Sequence, residues 1–252
     1  MLVKTQVKYI QSLSQKKFRD EEGVFVAEGP KIVEELLEAG NTDLVQLYAE
    51  SGWAQKQSSL PQDLVQTVTP AEMERISFLQ TPHQVLGIFR KPVFPSGLSL
   101  RNKISLMLDT VQDPGNLGTI IRCADWFGIN TVICSRESAD VFNPKVVQST
   151  MAGIARVRVL YEDLPQFLQE HSDIPVYAAT LNGTPLPKLG AIKEGILLIG
   201  NESRGISEEL LQMSRHRITI PRIGKAESLN AAVATGIILF ALGFAPGFNK
   251  PV

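Results

Sequence analysis

Three short stretches carry side chains suited to chemistry, and each follows an apolar run. The first is "DTVQDPGNLGTIIR". Pro114 and Gly115 turn the chain there, and Asn116 opens a helix whose free N–H groups can face an anion. Arg122 lies six residues further on, so it does not share a helical stripe with Asn116. The second is "LLIGNESRGIS". Gly200 permits a turn or a close approach, and Glu202, between Asn201 and Ser203, can orient an arginine or accept a bond from a hydroxyl. The third is "RITIPRIGKAESLNAAVATG". Pro221 releases the chain from a strand, and Ser228 is placed to cap the helix that follows. Arg222 and Lys225 lie in its loop with Arg215 and Arg217 just upstream, a local positive field suited to a phosphate backbone. Plainer readings stand beside these: Asn116 as a simple cap, Arg122 as a surface cation, Glu202 in a solvated turn, and the four cations as a solvated basic face.

Composition narrows the chemistry. The chain has 252 residues, 44% of them hydrophobic and 20% charged, with a formal net charge of -1. Any nucleic-acid partner must therefore be met by local positive charge. Cys123 and Cys134 have no CxxC spacing, and His83, His171 and His216 are scattered, so no metal is expected. Two buried free thiols in a reducing compartment is the reading for the cysteines. The missing GxGxxG and Walker-A lysine spacings argue against a dinucleotide fingerprint and a P-loop. The first residues have no apolar core of a secretory signal. The apolar stretch 231–245, ending at Pro246, is too short for a comfortable membrane span. A cytoplasmic protein without membrane contact is the expectation.

These loops need a framework, and the pattern supplies an α/β one. Residues 1–19 read as an amphipathic basic helix carrying Lys16, Lys17 and Arg19. "GVFVAEG" reads as a strand, "GPKIVEELLEAG" as a helix begun by Pro30 and stopped by Gly40, and "DLVQLYAE" as a strand. The stretch 90–103, rich in proline, glycine and basic residues, is the linker, which places the domains at 1–96 and 97–252. Beyond it "ISLMLD", "TVIC", "VRVL", "VYAATL", "ILLIGNE" and "RITI" read as strands of a doubly wound parallel sheet. "NLGTIIRCADWFG", "NPKVVQSTMAG", "LPQFLQEH", "SEELLQMS" and "SLNAAVATGIILFALG" read as its helices. Loops beyond the carboxyl ends of such strands converge on one pocket.

In this order and on this framework, the three stretches resemble the motifs of the SpoU (TrmH-like) branch of the SPOUT RNA methyltransferases. Asn116 and Arg122 match the first motif, Gly200, Asn201 and Glu202 the second, and Ile220, Pro221, Gly224, Ser228, Leu229 and Asn230 the third. The resemblance covers roughly residues 104–244. Ser203 stands where the family often has a second glycine, and Arg222 where it often has methionine. "KFRDEEGVFVAEGPKIVEELLEAG" resembles the N-terminal substrate-binding domain of such enzymes, whose fold is like that of certain ribosomal RNA-binding proteins.

The resemblance implies S-adenosylmethionine as methyl donor, no metal, and an RNA ribose 2′-hydroxyl as acceptor. Ribosomal RNA of the 23S type is preferred, with transfer RNA as the alternative. It implies a deep trefoil knot and a homodimer. Thr180, Leu181, Gly200, Asn201, Ile220 and Leu229 would surround the methyl donor. Arg122 would grip the phosphate beside the target ribose, with Asn116, Glu202, Ser228 and Asn230 orienting both. Lys16, Lys17, Arg19, Arg222 and Lys225 would meet RNA phosphates. A non-catalytic RNA-binding or ribosome-assembly factor on the same fold is the competing reading, opposed by the intact motif set. A nucleotide-dependent enzyme of another class is opposed by the absent glycine fingerprint.

Overall fold

A computed structural model of the chain describes residues 1–55, 60–190 and 192–243. In chain order the elements are α1 (Lys4–Ser12), α2 (Lys16–Glu22), β1 (Val24–Glu28), α3 (Pro30–Glu38), β2 (Leu44–Ala49), α4 (Ser51–Ala54), β3 (Val65–Thr67), α5 (Pro70–Ile76) and β4 (Val85–Arg90). Then come β5 (Ile104–Leu108), α6 (Pro114–Trp126), β6 (Thr131–Ser135), α7 (Pro144–Thr150), β7 (Arg158–Glu162), α8 (Leu164–Glu170), β8 (Val176–Pro185), β9 (Gly195–Ile199), α9 (Glu208–Met213), β10 (His216–Thr219) and α10 (Ala231–Gly243). Pro246, expected to close the last helix, lies outside the described residues.

The chain forms two compact units. The first comprises Met1–Pro95 and Asp140–Arg156, and the second Ser96–Ala139 and Val157–Val252. The chain thus passes from one unit to the other three times.

The first unit holds a mixed sheet in the order β1-β4-β2-β3, antiparallel except for β2 with β3. Its core joins Ile10 and Leu13 to Val24, Val26, Leu86 and Ile88. The single basic helix expected over 1–19 is two helices, because Leu13, Ser14 and Gln15 turn between them. Pro30 starts α3, and Gly40 adopts φ +71 just beyond its end. Thr69 and Glu72 form a capping box on α5.

The returning segment is tied into this unit by several bonds. Arg19 donates to Leu13 O at 2.6 Å and pairs with Asp140. Asn41 Nδ2 donates to Ala155 O at 2.8 Å, and Arg156 pairs with Glu35 at 3.2 Å. Phe142 packs on Phe25, their ring centroids 5.4 Å apart, while Lys91 lies 4.9 Å from the Phe142 ring centroid. Arg19 is 1% exposed. It therefore cannot be the phosphate contact expected of it: its guanidinium is spent inside the fold.

The second unit is built on a six-stranded sheet, β10-β8-β9-β5-β6-β7, with every neighbouring pair parallel. β6 and β9 are buried along their whole length, as strands covered on both faces must be. Cys134 lies within β6, where burial pushes its thiol up to about 12. Cys123 on α6 is only half-buried, so the expected pair of buried thiols holds for Cys134 alone. No helix among the described residues is long and apolar enough to cross a membrane.

Candidate active site

The carboxyl ends of β5 and β9 are joined by a set of local constraints. Asp109, 8% exposed, follows β5; its Oδ2 accepts from the Ser207 N–H at 2.7 Å and its Oδ1 from the Thr110 hydroxyl at 3.0 Å. Thr110 adopts φ +57, a conformation that a β-branched residue enters only under constraint. The constraint is visible: its N–H donates to Ser135 Oγ at 3.0 Å, and its carbonyl accepts from Asn201 Nδ2 at 2.7 Å. The left-handed step lets the chain leave β5 and turn into α6.

Asp113 caps α6 by accepting from the Asn116 N–H at 2.8 Å, and Pro114 occupies the first turn. Asn116 is therefore not the cap. Its side chain is free of that task and donates through Nδ2 to Glu202 Oε1 at 2.6 Å. Glu202 sits in a tight turn after β9, where Asn201 and Gly205 exchange backbone bonds of 2.9 Å in both directions. Asn201 Oδ1 also accepts from the Ser203 and Arg204 N–H groups. Gly200 makes this turn possible, since a Cβ there would lie 2.3 Å from the Gly205 carbonyl carbon.

The third stretch completes the cluster. Asn230 Nδ2 donates to Asn116 Oδ1 at 2.8 Å, while Asn230 Oδ1 accepts from the Ala232 and Val233 N–H groups. Asn230, not Ser228, is thus the N-cap of α10. Ser228 lies exposed three residues before the helix begins, with no hydrogen bond among the described residues. α10 then packs on α6, and Gly236 faces Cys123.

The remaining candidate residues fall on β8 and beyond the end of β10. β8 pairs with β10 up to Ala178, opposite Arg217, and resumes at Thr184, opposite Ile218. Residues 179–183 between these pairs, including Thr180 and Leu181, bulge out of the ladder. Gly183 lies against the Arg217 backbone, where a Cβ would meet a carbonyl carbon at 2.6 Å. Thr219 Oγ1 donates to Leu181 O at 3.1 Å, next to Ile220. Leu181 and Leu229 are 69% and 47% exposed, large apolar side chains beside the free ends of buried strands.

The basic residues divide. Arg122 is exposed and makes no hydrogen bond or ion pair among the described residues. Its charge opposes the burial that pushes the Cys123 thiol up. Arg222 and Lys225 are exposed, with the Arg222 guanidinium reaching Ala226 O at 3.1 Å. Arg215 precedes β10, where it meets Ser172 O at 3.4 Å, and Arg217 lies within that strand. Arg215 and Arg217 thus lie at the start of β10 and Arg222 and Lys225 in the loop beyond its end, so the four cations are not gathered at one strand end. In the first unit Lys16 is exposed, and Lys17 forms an exposed pair with Glu21 at 3.8 Å.

Two arrangements were not anticipated from the sequence. The Asp109–Thr110 clamp had one visible signal, a lone carboxylate ending an apolar strand. The β8 bulge had only the "NG" of Asn182 and Gly183.

Comparison with known proteins gives this geometry a family. Residues 103–240 match the SpoU rRNA Methylase family, and residues 4–87 the MRM3-like substrate binding domain. The chain belongs to the SpoU rRNA methylase family. It is 31% identical over 244 residues to the 23S rRNA (guanosine(2553)-2′-O)-methyltransferase RlmP of Bacillus subtilis, covering 94% of this chain and 95% of that protein. The crystal structure of an AdoMet-bound rRNA methyltransferase from Sinorhizobium meliloti superposes with a TM-score of 0.86 at 32% identity, covering 96% and 95% of the two chains. The structure of a putative RNA methyltransferase of the TrmH family from Porphyromonas gingivalis superposes at 0.84 with 38% identity, covering 96% of this chain and 98% of that one. In this SpoU chain the three motifs meet through the side chains of Glu202, Asn116 and Asn230.

Proposed function

We propose that the protein transfers a methyl group from S-adenosylmethionine to a ribose 2′-hydroxyl of ribosomal RNA of the 23S type. The observation that carries this reading is the hydrogen-bond chain Glu202–Asn116–Asn230, which ties three separate strand-end segments into one polar cluster. A binding module has no need to hold these groups in register, whereas displacement at a sulfonium-bound carbon depends on placing the attacking oxygen in line.

The residues present suit the methyl donor. Thr180 and Leu181 on the β8 bulge, Gly200 and Asn201 after β9, Ile220 after β10, and Leu229 before α10 would hold it. The exposed Leu181 and Leu229 side chains offer the apolar surface an adenine ring needs, with backbone groups at hand to fix its edge. S-adenosylmethionine supplies an already activated methyl group, so the chain's own residues need only position the ribose and accept its proton. Arg122, exposed and without a hydrogen-bond or ion-pair partner among the described residues, would grip the phosphate beside the target ribose in a bidentate way. Ser228 would face the same ribose. Lys16, Lys17, Arg222 and Lys225 would meet further phosphates, with residues 1–96 docking the RNA and 97–252 carrying the chemistry.

The last segment would thread the preceding loops as a trefoil knot. A homodimer fits the apolar stripe Val233, Ile237 and Phe240 on the outer face of α10, with Trp126 on α6, all of them exposed. A cytoplasmic location is the setting proposed for the enzyme.

The test is incubation of the full chain with 23S rRNA and methyl-labelled S-adenosylmethionine. Label is expected at one ribose, where it makes the adjoining phosphodiester resistant to alkali. Label on a base, or none on RNA, would refute the reading.

A further inference from the structure

The polar chain at the site has a direction, fixed from one end. Asn230 Oδ1 accepts from the backbone N–H groups of Ala232 at 3.0 Å and Val233 at 3.2 Å. Its amide nitrogen must therefore point the other way, and it donates to Asn116 Oδ1 at 2.8 Å. This turns the Asn116 nitrogen toward Glu202 Oε1, 2.6 Å away. Every donor thus points from the start of α10 toward one carboxylate. Aligned hydrogen bonds polarise one another, and such a chain can end only on an acceptor. Glu202 is held by one oxygen; its Oε2 has no hydrogen-bond partner among the described residues, and the side chain is exposed.

Among the described residues, Glu202 is the one carboxylate joined to the Asn116–Asn230 chain; Glu227, exposed in the loop before Ser228, makes no bond to it. Arg122 has no acceptor atom. The Asn116 and Asn230 amides are not bases, and both carbonyl oxygens are occupied. Asp113 is committed to the Asn116 N–H, and Asp109 to Ser207 and Thr110. His83 belongs to the first unit, His171 ends α8, and His216 stacks on Tyr177 at the opposite end of β10.

Resting on the methyl-transfer reading above, we propose that Glu202 is the proton acceptor for the attacking ribose hydroxyl, with Asn116 and Asn230 as its positioning residues. A lone pair of the 2′-oxygen forms the new O–CH3 bond. The S–CH3 bond breaks with its electron pair left on sulfur, so the sulfonium becomes the neutral thioether of S-adenosylhomocysteine. The hydroxyl proton passes to Glu202 Oε2, and the neutral carboxyl returns it to water after the product departs.

The decisive variant is Glu202→Gln. Its amide oxygen still accepts from Asn116, but the side chain cannot take a proton. A purely positioning role would survive this change. Proton acceptance predicts a single-turnover rate lower by about 100-fold or more. S-adenosylmethionine affinity, measured by calorimetry on the full chain, should stay within about threefold. Glu202→Asp keeps a carboxylate and should retain the fall in rate toward acid pH, which Glu202→Gln should lose. A second readout needs no turnover: the side-chain amide 15N resonances of Asn116 and Asn230 should titrate together in the wild type and stay still in Glu202→Gln. Turnover of Glu202→Gln within about threefold of wild type, with an unchanged pH profile, overturns the assignment. Amide resonances that ignore pH overturn the directed chain beneath it. A wild-type chain that binds S-adenosylmethionine yet methylates no ribose defeats the broader reading instead, and the resonances then still decide the direction of the chain.

Discussion

Glu28 ends β1 inside the first unit, where its carboxylate accepts from the Ser77 hydroxyl and from the Phe78 N–H at 2.8 Å. Burial raises its pKa above 4.5, opposed by those two bonds and by the charge of His83. The folded chain therefore holds this proton more tightly than the unfolded chain does. Stability contributed here is present at low pH and is lost as pH rises from 4.5 through the raised value. Urea unfolding of the full chain across that interval should show the decline, and Glu28→Gln should flatten it. At the same scale, Asn116 and Asn230 differ from most surface amides in that every polar atom of their side chains is assigned. Glu202 differs in having one oxygen assigned and one open.

At the level of elements, the site depends on two close backbone approaches. The turn after β9 needs Gly200 against Gly205, and the β8 bulge needs Gly183 against Arg217. Gly200→Ala would force a Cβ into backbone that cannot move without opening the Asn201–Gly205 turn. Overpacking of this kind costs about 1–3 kcal/mol. The variant should lose that much stability by urea titration and a larger share of S-adenosylmethionine affinity, because the turn also carries Gly200 and Asn201, which would hold the donor. Much of this was legible in the sequence. Apolar runs such as "ISLML" announced buried parallel strands; Asn116 and Glu202 were named from their places after such runs, and Asn230 from the family resemblance. Their division of labour was not legible. A serine two residues ahead of an asparagine reads as the stronger cap, but only the loop geometry decides which reaches the first free N–H groups, and Asn230 does. Thr110 at φ +57 left no trace either, since threonine has no preference for that conformation.

Across the whole molecule, the returning segment Asp140–Arg156 is the feature that residue patterns concealed. A proline- and glycine-rich stretch marks the first passage between the units near Pro95. The other two passages, after Ala139 and after Arg156, carry no linker composition, because each runs directly into ordered structure. Arg19 was misread for the same reason: its partner Asp140 lies 121 residues away. Breaking that pair leaves a buried cation without compensation, at a cost of about 3–5 kcal/mol. Asp140→Ala should lower the urea midpoint accordingly, and Asp140→Asn, which keeps an oxygen for Arg19, should lower it less.

The same return governs how the protein can be dissected. Removing residues 1–95 to isolate a methylating core would strip the cover from Phe142 and α7, whose Val146 and Val147 are buried in the intact chain. The shortened product would carry an adhesive apolar strip between β6 and β7. Any failure it showed with RNA would then record aggregation as readily as a missing recognition surface. A fair dissection takes three cuts, replacing 140–156 with a short polar bridge in the same gene.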